Sequence, residues 1–430
     1  MLDSNSKGAS MAIVLPFRSV RPVKEYVANV ASQPYDVINS EEAKEIAKDN
    51  ALSFLHVTKS EIDLPVGTSP YSEEVYQKAR QNFVGYLRNG VLFQDRGPEY
   101  YVYCQKKGSH EQCGIGACVH ISEFDLGNVK RHEMTLPEKE ADRTRHIDTV
   151  NAQTGPVFLT YRSNIEINRL VEKIKESIPE YDFETKDGVK NRVWVVGDKE
   201  SIRKIRKAFR KVERLYIADG HHRAASGVAV AKRRLSAAKK NRMRAPFNLI
   251  LAVLFPHNEV KIRDYNRVVK DLSGLDATEF IKKIQEKFFV DADYFDKSPQ
   301  GPRQYGMYLE GKWYRLRAKD ACIQESDIVG SLDVSILQDN LLGPLLGIQD
   351  PRSDKRIHFV GAARGIGELE RMVDSGKFRV AFSLYPPTVD QMMAVADAGE
   401  MMPPKSTWFE PKLMDGIMVH ILDEETKAGK

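Results

Sequence analysis

The chain reads as an α/β to α+β protein of several parts built on mixed sheets, and three observations predict this. Arg192 to Lys239 alternates strand, helix, strand, helix; Phe247 to Phe255 is almost unbroken apolar sequence; and the final third again alternates the two element types. A continuous apolar strand is the mark of a sheet covered on both faces. At 430 residues, 42% hydrophobic and 29% charged, the chain has room for two or three cores of ordinary composition.

Taken in order, residues 1–10 are expected to be a disordered start, since Met11 opens the strand-like Ala12 to Leu15. Gln33 to Ile38 is expected to be extended, held so by Pro34. Ser40 caps a helix running through Glu41 to Asp49, and Ser53 to Val57 is strand-like. Tyr71 to Asn89 is a longer amphipathic helix stopped by Gly90. Tyr100 to Cys104 and Gly114 to Ile121 form a β-pair around the polar turn at Lys106 to Gln112. Asn128 to Thr154 is crowded with charge, including Arg131, Glu133, Glu138, Glu140, Asp142, Arg143 and Arg145, with little apolar periodicity. It suits a solvated helix or the lining of a site.

Next come a strand at Arg192 to Val196 and a helix at Lys199 to Val212. A second strand covers Leu215 to Ala218, and a helix starts at Gly220. The outer face of the first helix carries Arg203, Lys204, Arg206, Lys207, Arg210 and Lys211 without interleaved aromatics, so a solvated exterior is expected. Pro246 and Pro256 bound the buried strand Phe247 to Phe255. Val260 to Val269 is a strand pair, Asp276 to Lys287 a helix, and Tyr305 to Leu316 a hairpin. Leu332 to Leu342, Ile357 to Val360, Ile366 to Asp374, Phe378 to Tyr385 and Val389 to Ala398 complete the alternation. The divisions expected are 11–127, an N-terminal α+β part; 128–330, a central part; and 331–430, a C-terminal α/β part.

Composition excludes little but orients the reading. The net charge of +5 is mild and interspersed, which suits a small anion and does not by itself point to nucleic acid. Cys104, Cys113, Cys118 and Cys322 lack CxxC spacing and are expected to be free, buried thiols of a cytoplasmic protein. No apolar run approaches the ~18 residues that span a bilayer.

The chemistry concentrates in Asp219-Gly220-His221-His222-Arg223, between an apolar strand and a helix. Free N–H groups and the positive end of the helix dipole meet there, so an anion, most naturally a phosphate, is favoured. Gly220 lets the backbone approach a ligand, Arg223 can fork onto phosphate oxygens, and Asp219 stands as N-cap, metal ligand or catalytic carboxylate. There is no GxxxxGK[ST], hence no Walker lysine, and Gly361 to Gly367 misses GxGxxG spacing and is expected to be a turn into a helix. HExxH and HxxEH are also missing, which ranks zinc hydrolysis below phosphate chemistry.

Two resemblances join this reading. Pro16-Phe17-Arg18, Gln33 to Ile38, Arg131-His132-Glu133, Lys139-Glu140, Asp142-Arg143, Ala218 to Arg223 and Met402 to Lys412 together resemble a bacterial and archaeal family of unassigned function, labelled SpoOJ-like or ParB-like. The Asp219 to Arg223 turn alone is similar to the ParB/sulfiredoxin fold, and free-serine kinases of that fold carry the same five residues. The resemblance implies a ParB/sulfiredoxin-like core and phosphotransfer from ATP or ADP with Mg2+ to a small hydroxyl metabolite, L-serine first. It implies phosphate-handling and catalytic roles for Asp219, Gly220, His221, His222 and Arg223; Asp219 is expected to be the metal ligand and Arg143 a further phosphate ligand. Those kinases use a glutamate base, for which Glu133 is the first choice here and Glu140 the second. The alternative is a ParB-like regulatory protein that binds a nucleotide such as CTP, touching DNA through the Arg203 to Lys211 face. Met402 to Thr407 either closes over the site, with Lys405 on a phosphate, or is a packed tail.

Overall fold

The computed structural model describes residues 12–238, 245–292 and 294–423, so the expected disordered start and the end of the helix at Lys239 lie outside the described residues. The chain divides into two units. The first comprises residues 1–131, 135–260 and 411–430; the second comprises 132–134 and 261–410.

The first unit is built on a mixed nine-stranded sheet. Its strands are β1 (Val14–Leu15), β2 (Tyr100–Lys107), β3 (His110–His120), β4 (Val129–Lys130), β5 (Val157–Tyr161), β6 (Tyr181–Glu184), β7 (Lys190–Val196), β8 (Leu215–Asp219) and β9 (Leu249–Pro256). The spatial order is β4-β8-β5-β9-β3-β2-β7-β6, with β1 also on β3. As its apolar run predicts, β9 is central, parallel to β5 and antiparallel to β3. The expected strand, helix, strand, helix alternation is present as β7, the helix Lys199–Phe209, β8 and the helix His221–Ala237. Yet β7 and β8 are not neighbours: β2, β3, β9 and β5 lie between them. β8 instead pairs antiparallel with β5 and parallel with the short β4. Helix Lys199–Phe209 buries Ile205, Ala208 and Phe209 in the sheet's core and turns its basic side outward. There Lys204 meets Glu200 at 2.5 Å and Lys211 pairs with Glu166.

Several local expectations are corrected. Ser53 to Val57 is not a strand: Leu55–Thr58 is one helical turn, and buried Phe54 and Val57, three apart, face one core. Apolar residues at that spacing suit a helical turn as well as a short strand. Residues 33–38 form a turn, closed by the Val37 N–H to the Pro34 carbonyl at 3.2 Å, because proline restrains the residue before it and not those after. Asn39, not Ser40, caps the helix Ser40–Ala47, in a capping box with Glu42. Part of the charged stretch is the helix Pro137–Val150, with proline in its first turn and His146, Ile147 and Val150 inward. Cys104 and Cys113, directly opposed on β2 and β3, are joined in a disulfide rather than free, while Cys118 and Cys322 are free and buried. Non-adjacent strand positions without CxxC spacing still meet when a tight hairpin pairs them.

The second unit holds a six-stranded antiparallel sheet made of Tyr265–Val269, Phe288–Ala292, the hairpin Gln304–Leu309 and Lys312–Ala318, Ile357–Gly361 and Val380–Leu384. Helices Ala277–Lys287, Gly367–Asp374 and Val389–Ala398 stand where the periodicity places them. Gly361 to Gly367 is indeed a turn leading into a helix. Among the described residues no helix is long and apolar enough to cross a membrane.

Two buried histidines of the first unit make its stability sensitive to acid. His146 faces the Val57 carbonyl at 2.9 Å and His420 the Pro246 carbonyl at 2.9 Å. Burial pushes both down to about 4, with the Arg143 charge adding to the effect on His146. The unfolded chain then takes up protons below about pH 6.5 while the native state does not, so stability falls as pH drops from 6.5 toward 4. Each histidine withdraws roughly 2 kcal/mol by pH 4.5. Guanidinium unfolding at pH 7.5, 6 and 5 should show this slope, and His420→Gln should flatten it; an unchanged slope would remove His420 as a source.

Candidate functional site

Strand β8 ends in Asp219, and Gly220 turns the chain with φ 86°, the left-handed conformation that glycine adopts without a Cβ penalty. Helix His221–Ala237 begins immediately, and its N-cap, Gly220, makes no side-chain cap. It lies close over the sheet because its inward positions are small: a Cβ on Gly227 would come within 2.8 Å of the Ile250 side chain.

Both carboxylate oxygens of Asp219 are engaged. Oδ1 accepts from the Gly220 N–H at 2.8 Å, and Oδ2 accepts from the Lys412 ammonium at 2.8 Å. Burial alone would raise the carboxyl's pKa, but Lys412 and Arg223 outweigh it and hold Asp219 well below the usual carboxylate range. Lys412 is itself positioned through its backbone: Gln105 Nε2 donates to the Lys412 carbonyl at 2.9 Å and Gln112 Nε2 to that of Pro411 at 3.3 Å.

Arg223 runs inward, donating to the Pro156 carbonyl at 2.6 Å and meeting Asp36 at 3.5 Å. Its Nε is buried and has no hydrogen-bond partner. Burial opposes its charge, yet Asp415, Asp36 and Asp219 raise its pKa overall. Arg143 stacks 4.2 Å over the Tyr35 ring and is paired with Asp142, which also accepts from the Tyr76 hydroxyl at 2.8 Å. Tyr35, Arg143, His146, Gln153, Arg223 and Asp415 are among the residues lining a pocket of about 20 Å3. Asp415 is buried there with Oδ1 unpartnered, and burial lifts its carboxyl to about 7 against the pull of Arg223.

His221 is buried beside the turn, and His222 Nε2 accepts the Leu136 N–H at 2.9 Å, tying the two helix starts together. Arg143 thus reaches the same pocket as Arg223, whereas Glu133 belongs to the second unit. Glu140 stays in the first unit: its carboxylate accepts from Thr135 at 2.8 Å, and its carbonyl accepts from Ser226 at 3.0 Å. Lys405 also lies in the second unit, its ammonium 5.6 Å from the Tyr265 ring centre. Sequence reasoning missed Lys412, Asp415, Tyr35 and Asp36 as site residues. Tyr35, Asp36 and Lys412 sit in the stretches that carry the resemblance, but a lysine and an acid so far along the chain have no local signal linking them to residue 219.

Fold and site together define a mixed α/β protein whose strand–glycine–helix turn is bordered by half-buried cations. The chain belongs to a family described as a protein of unknown function (DUF1015), whose model matches residues 14–335. No curated protein matches it. Among solved structures it is similar to a conserved hypothetical protein from Pyrococcus furiosus, at 16% identity over 69% of this chain and 93% of that one, TM-score 0.34. It is similar to a free serine kinase in complex with AMP, at 16% identity over 69% and 90%, TM-score 0.35. A third is SbnI from Staphylococcus aureus with a C-terminal truncation, at 12% identity over 73% and 89%, TM-score 0.36.

The Asp219–Lys412 pair gives a direct test of the site's electrostatics. Lys412→Met leaves a half-buried carboxylate with Arg223 as its remaining cation, a loss of about 2 kcal/mol at neutral pH. Stabilisation from a depressed native pKa is fully present above the unfolded value near 3.9 and is lost progressively as pH falls from there toward the native value, so the difference from wild type should be smaller at pH 3.5 than at pH 7. Urea unfolding of both proteins at pH 7 and pH 3.5 checks it; equal differences at the two pH values would contradict an ionised Asp219.

Proposed function

We propose that this protein is a nucleotide-dependent phosphotransferase acting on a small hydroxyl metabolite, with L-serine the first candidate and ATP or ADP as donor. One observation carries the reading: a helix start opened by Gly220, which leaves the backbone bare of a side chain there, with Asp219, His221, His222 and Arg223 around it. A phosphate satisfies such donors, and the helix dipole favours its charge. The same five residues are those by which the turn resembles free-serine kinases with a ParB/sulfiredoxin-like core.

In this reading Gly220, His221, His222 and Arg223 bind the nucleotide phosphates, Arg143 supports them, and Lys412 supplies the lysine missing from the local motif. Phosphoryl transfer leaves the protein mainly to position the reactants and to neutralise charge developing on the transferred group. Magnesium, when bound to a nucleotide, neutralises phosphate charge. With both Asp219 oxygens engaged, a direct magnesium role for Asp219 requires Lys412 to give way. Asp219 otherwise fixes the Gly220 turn and the Lys412 ammonium.

The test is mass-spectrometric detection of phosphoserine after incubation with Mg2+, L-serine and ATP or ADP. Wild type should yield product, and Asp219→Asn should lower the rate about 100-fold. Nucleotide binding without transfer to any hydroxyl acceptor would favour a ParB-like regulatory role, and salt-dependent DNA binding would strengthen it. Failure to bind nucleotide would refute both.

A further inference from the structure

Two buried polar atoms in the first unit have no partner and line one pocket: Arg223 Nε, a donor, and Asp415 Oδ1, an acceptor. Buried polar groups are rarely left unpaired, and such exceptions concentrate where something else binds. The pocket's 20 Å3 is enough for one oxygen atom with its hydrogen. An N–H and a carboxylate oxygen together ask for a group that accepts from one and donates to the other. A hydroxyl does both.

We infer that Asp415 is the catalytic base of the transfer, with the acceptor hydroxyl held between Asp415 Oδ1 and Arg223 Nε. The inference rests on the phosphotransferase reading and assigns the proton acceptor for that site in its own unit. The O–H bond breaks and its proton passes to the Asp415 carboxylate. The freed oxygen pair forms the new bond to the terminal phosphorus of the nucleoside di- or triphosphate. The bond from that phosphorus to its bridging oxygen breaks, and the shortened nucleotide leaves as the anion. The proton on Asp415 goes to solvent after the product departs.

Asp415 is held rigidly enough for this work. Its N–H donates to the Ser32 carbonyl at 2.8 Å, and its own carbonyl accepts the Ser32 N–H at 3.2 Å. Four residues on, Val419 makes the same exchange with Val20, its N–H donating at 2.9 Å and its carbonyl accepting at 2.9 Å. The carboxylate lies so close over Gly155 that a Cβ there would fall 2.0 Å from Oδ1. Arg223, Arg143, Asp36, Tyr35 and His146 are the charged and titratable groups around it. Burial, first, and Asp36 raise the carboxyl to about 7 against the two arginines, where a base is half-ionised at neutral pH.

The experiment compares wild type, Asp415→Asn and Asp415→Glu with Mg2+ and ATP or ADP, offering L-serine, glycerol and water as acceptors. Nucleotide affinity is read by calorimetry and transfer by mass spectrometry from pH 5.5 to 8.5. Wild-type kcat should rise with pH through an acid limb near 7. Asp415→Asn should bind nucleotide within about threefold of wild type, turn over at least 100-fold more slowly, and lose that limb. Asp415→Glu, which keeps a carboxylate, should retain the limb at a rate reduced more than tenfold, and it carries the test if the Asn variant fails to fold. Asn turnover within tenfold of wild type, a surviving limb, or a loss of turnover matched by an equal loss of binding would overturn the assignment. A wild type that binds nucleotide yet phosphorylates none of the three acceptors would overturn the phosphotransferase reading itself, and Asp415 as base with it.

Discussion

A carboxylate drawn partly out of water stays ionised when cations come to meet it, and for Asp219 these are Lys412, in a direct ion pair, and Arg223. Much of the first unit's architecture serves that meeting. Gln105 and Gln112, opposed on neighbouring strands, grip the backbone of Pro411 and Lys412. Further along, the same segment exchanges hydrogen bonds with Ser32 and pairs His420–Ile421 with Ala152–Gln153. The site is therefore a junction of distant pieces of chain, and its charges are balanced by residues nearly two hundred positions apart.

The balance is asymmetric in a useful way. Asp219 is fully engaged and Arg143 is paired with Asp142, so both act as fixed charges. Arg223 and Asp415 are the members that keep one unsatisfied atom each. Among locked neighbours, those two leave a donor and an acceptor of one pocket unsatisfied. Preorganisation of this kind costs folding energy and returns it on association.

Much of the fold was legible because local rules act over short distances. The apolar run of β9, the amphipathic face of Lys199–Phe209 and the alternation from Ile357 to Ala398 each report their own burial. The five residues of the turn were legible for the same reason: strand, glycine and helix are contiguous, and their chemistry is local. What failed was non-local. Nothing near Leu215 says that β8 pairs with β5 rather than with β7. Nothing near Cys104 says that Cys113 will lie opposite it until the hairpin register is known. Lys412 and Asp415 were invisible as site residues because their partners are set by the path of the returning segment, whereas Lys405, seven residues from Lys412, falls in the other unit.

That returning segment also imposes an order in time. The first unit is interrupted after Val260 and resumes only at Pro411, with the second unit encoded between. Asp219 emerges from the ribosome 193 residues before Lys412. At about 5–20 residues per second, the nascent strand waits on the order of ten to forty seconds for its counter-charge. The second unit, except for residues 132–134, is one continuous stretch and can complete its sheet during that interval. Synthesis thus completes the Asp219–Lys412 ion pair only after the neighbouring unit has been made, so a ribosome stalled anywhere before residue 412 leaves Asp219 without that partner.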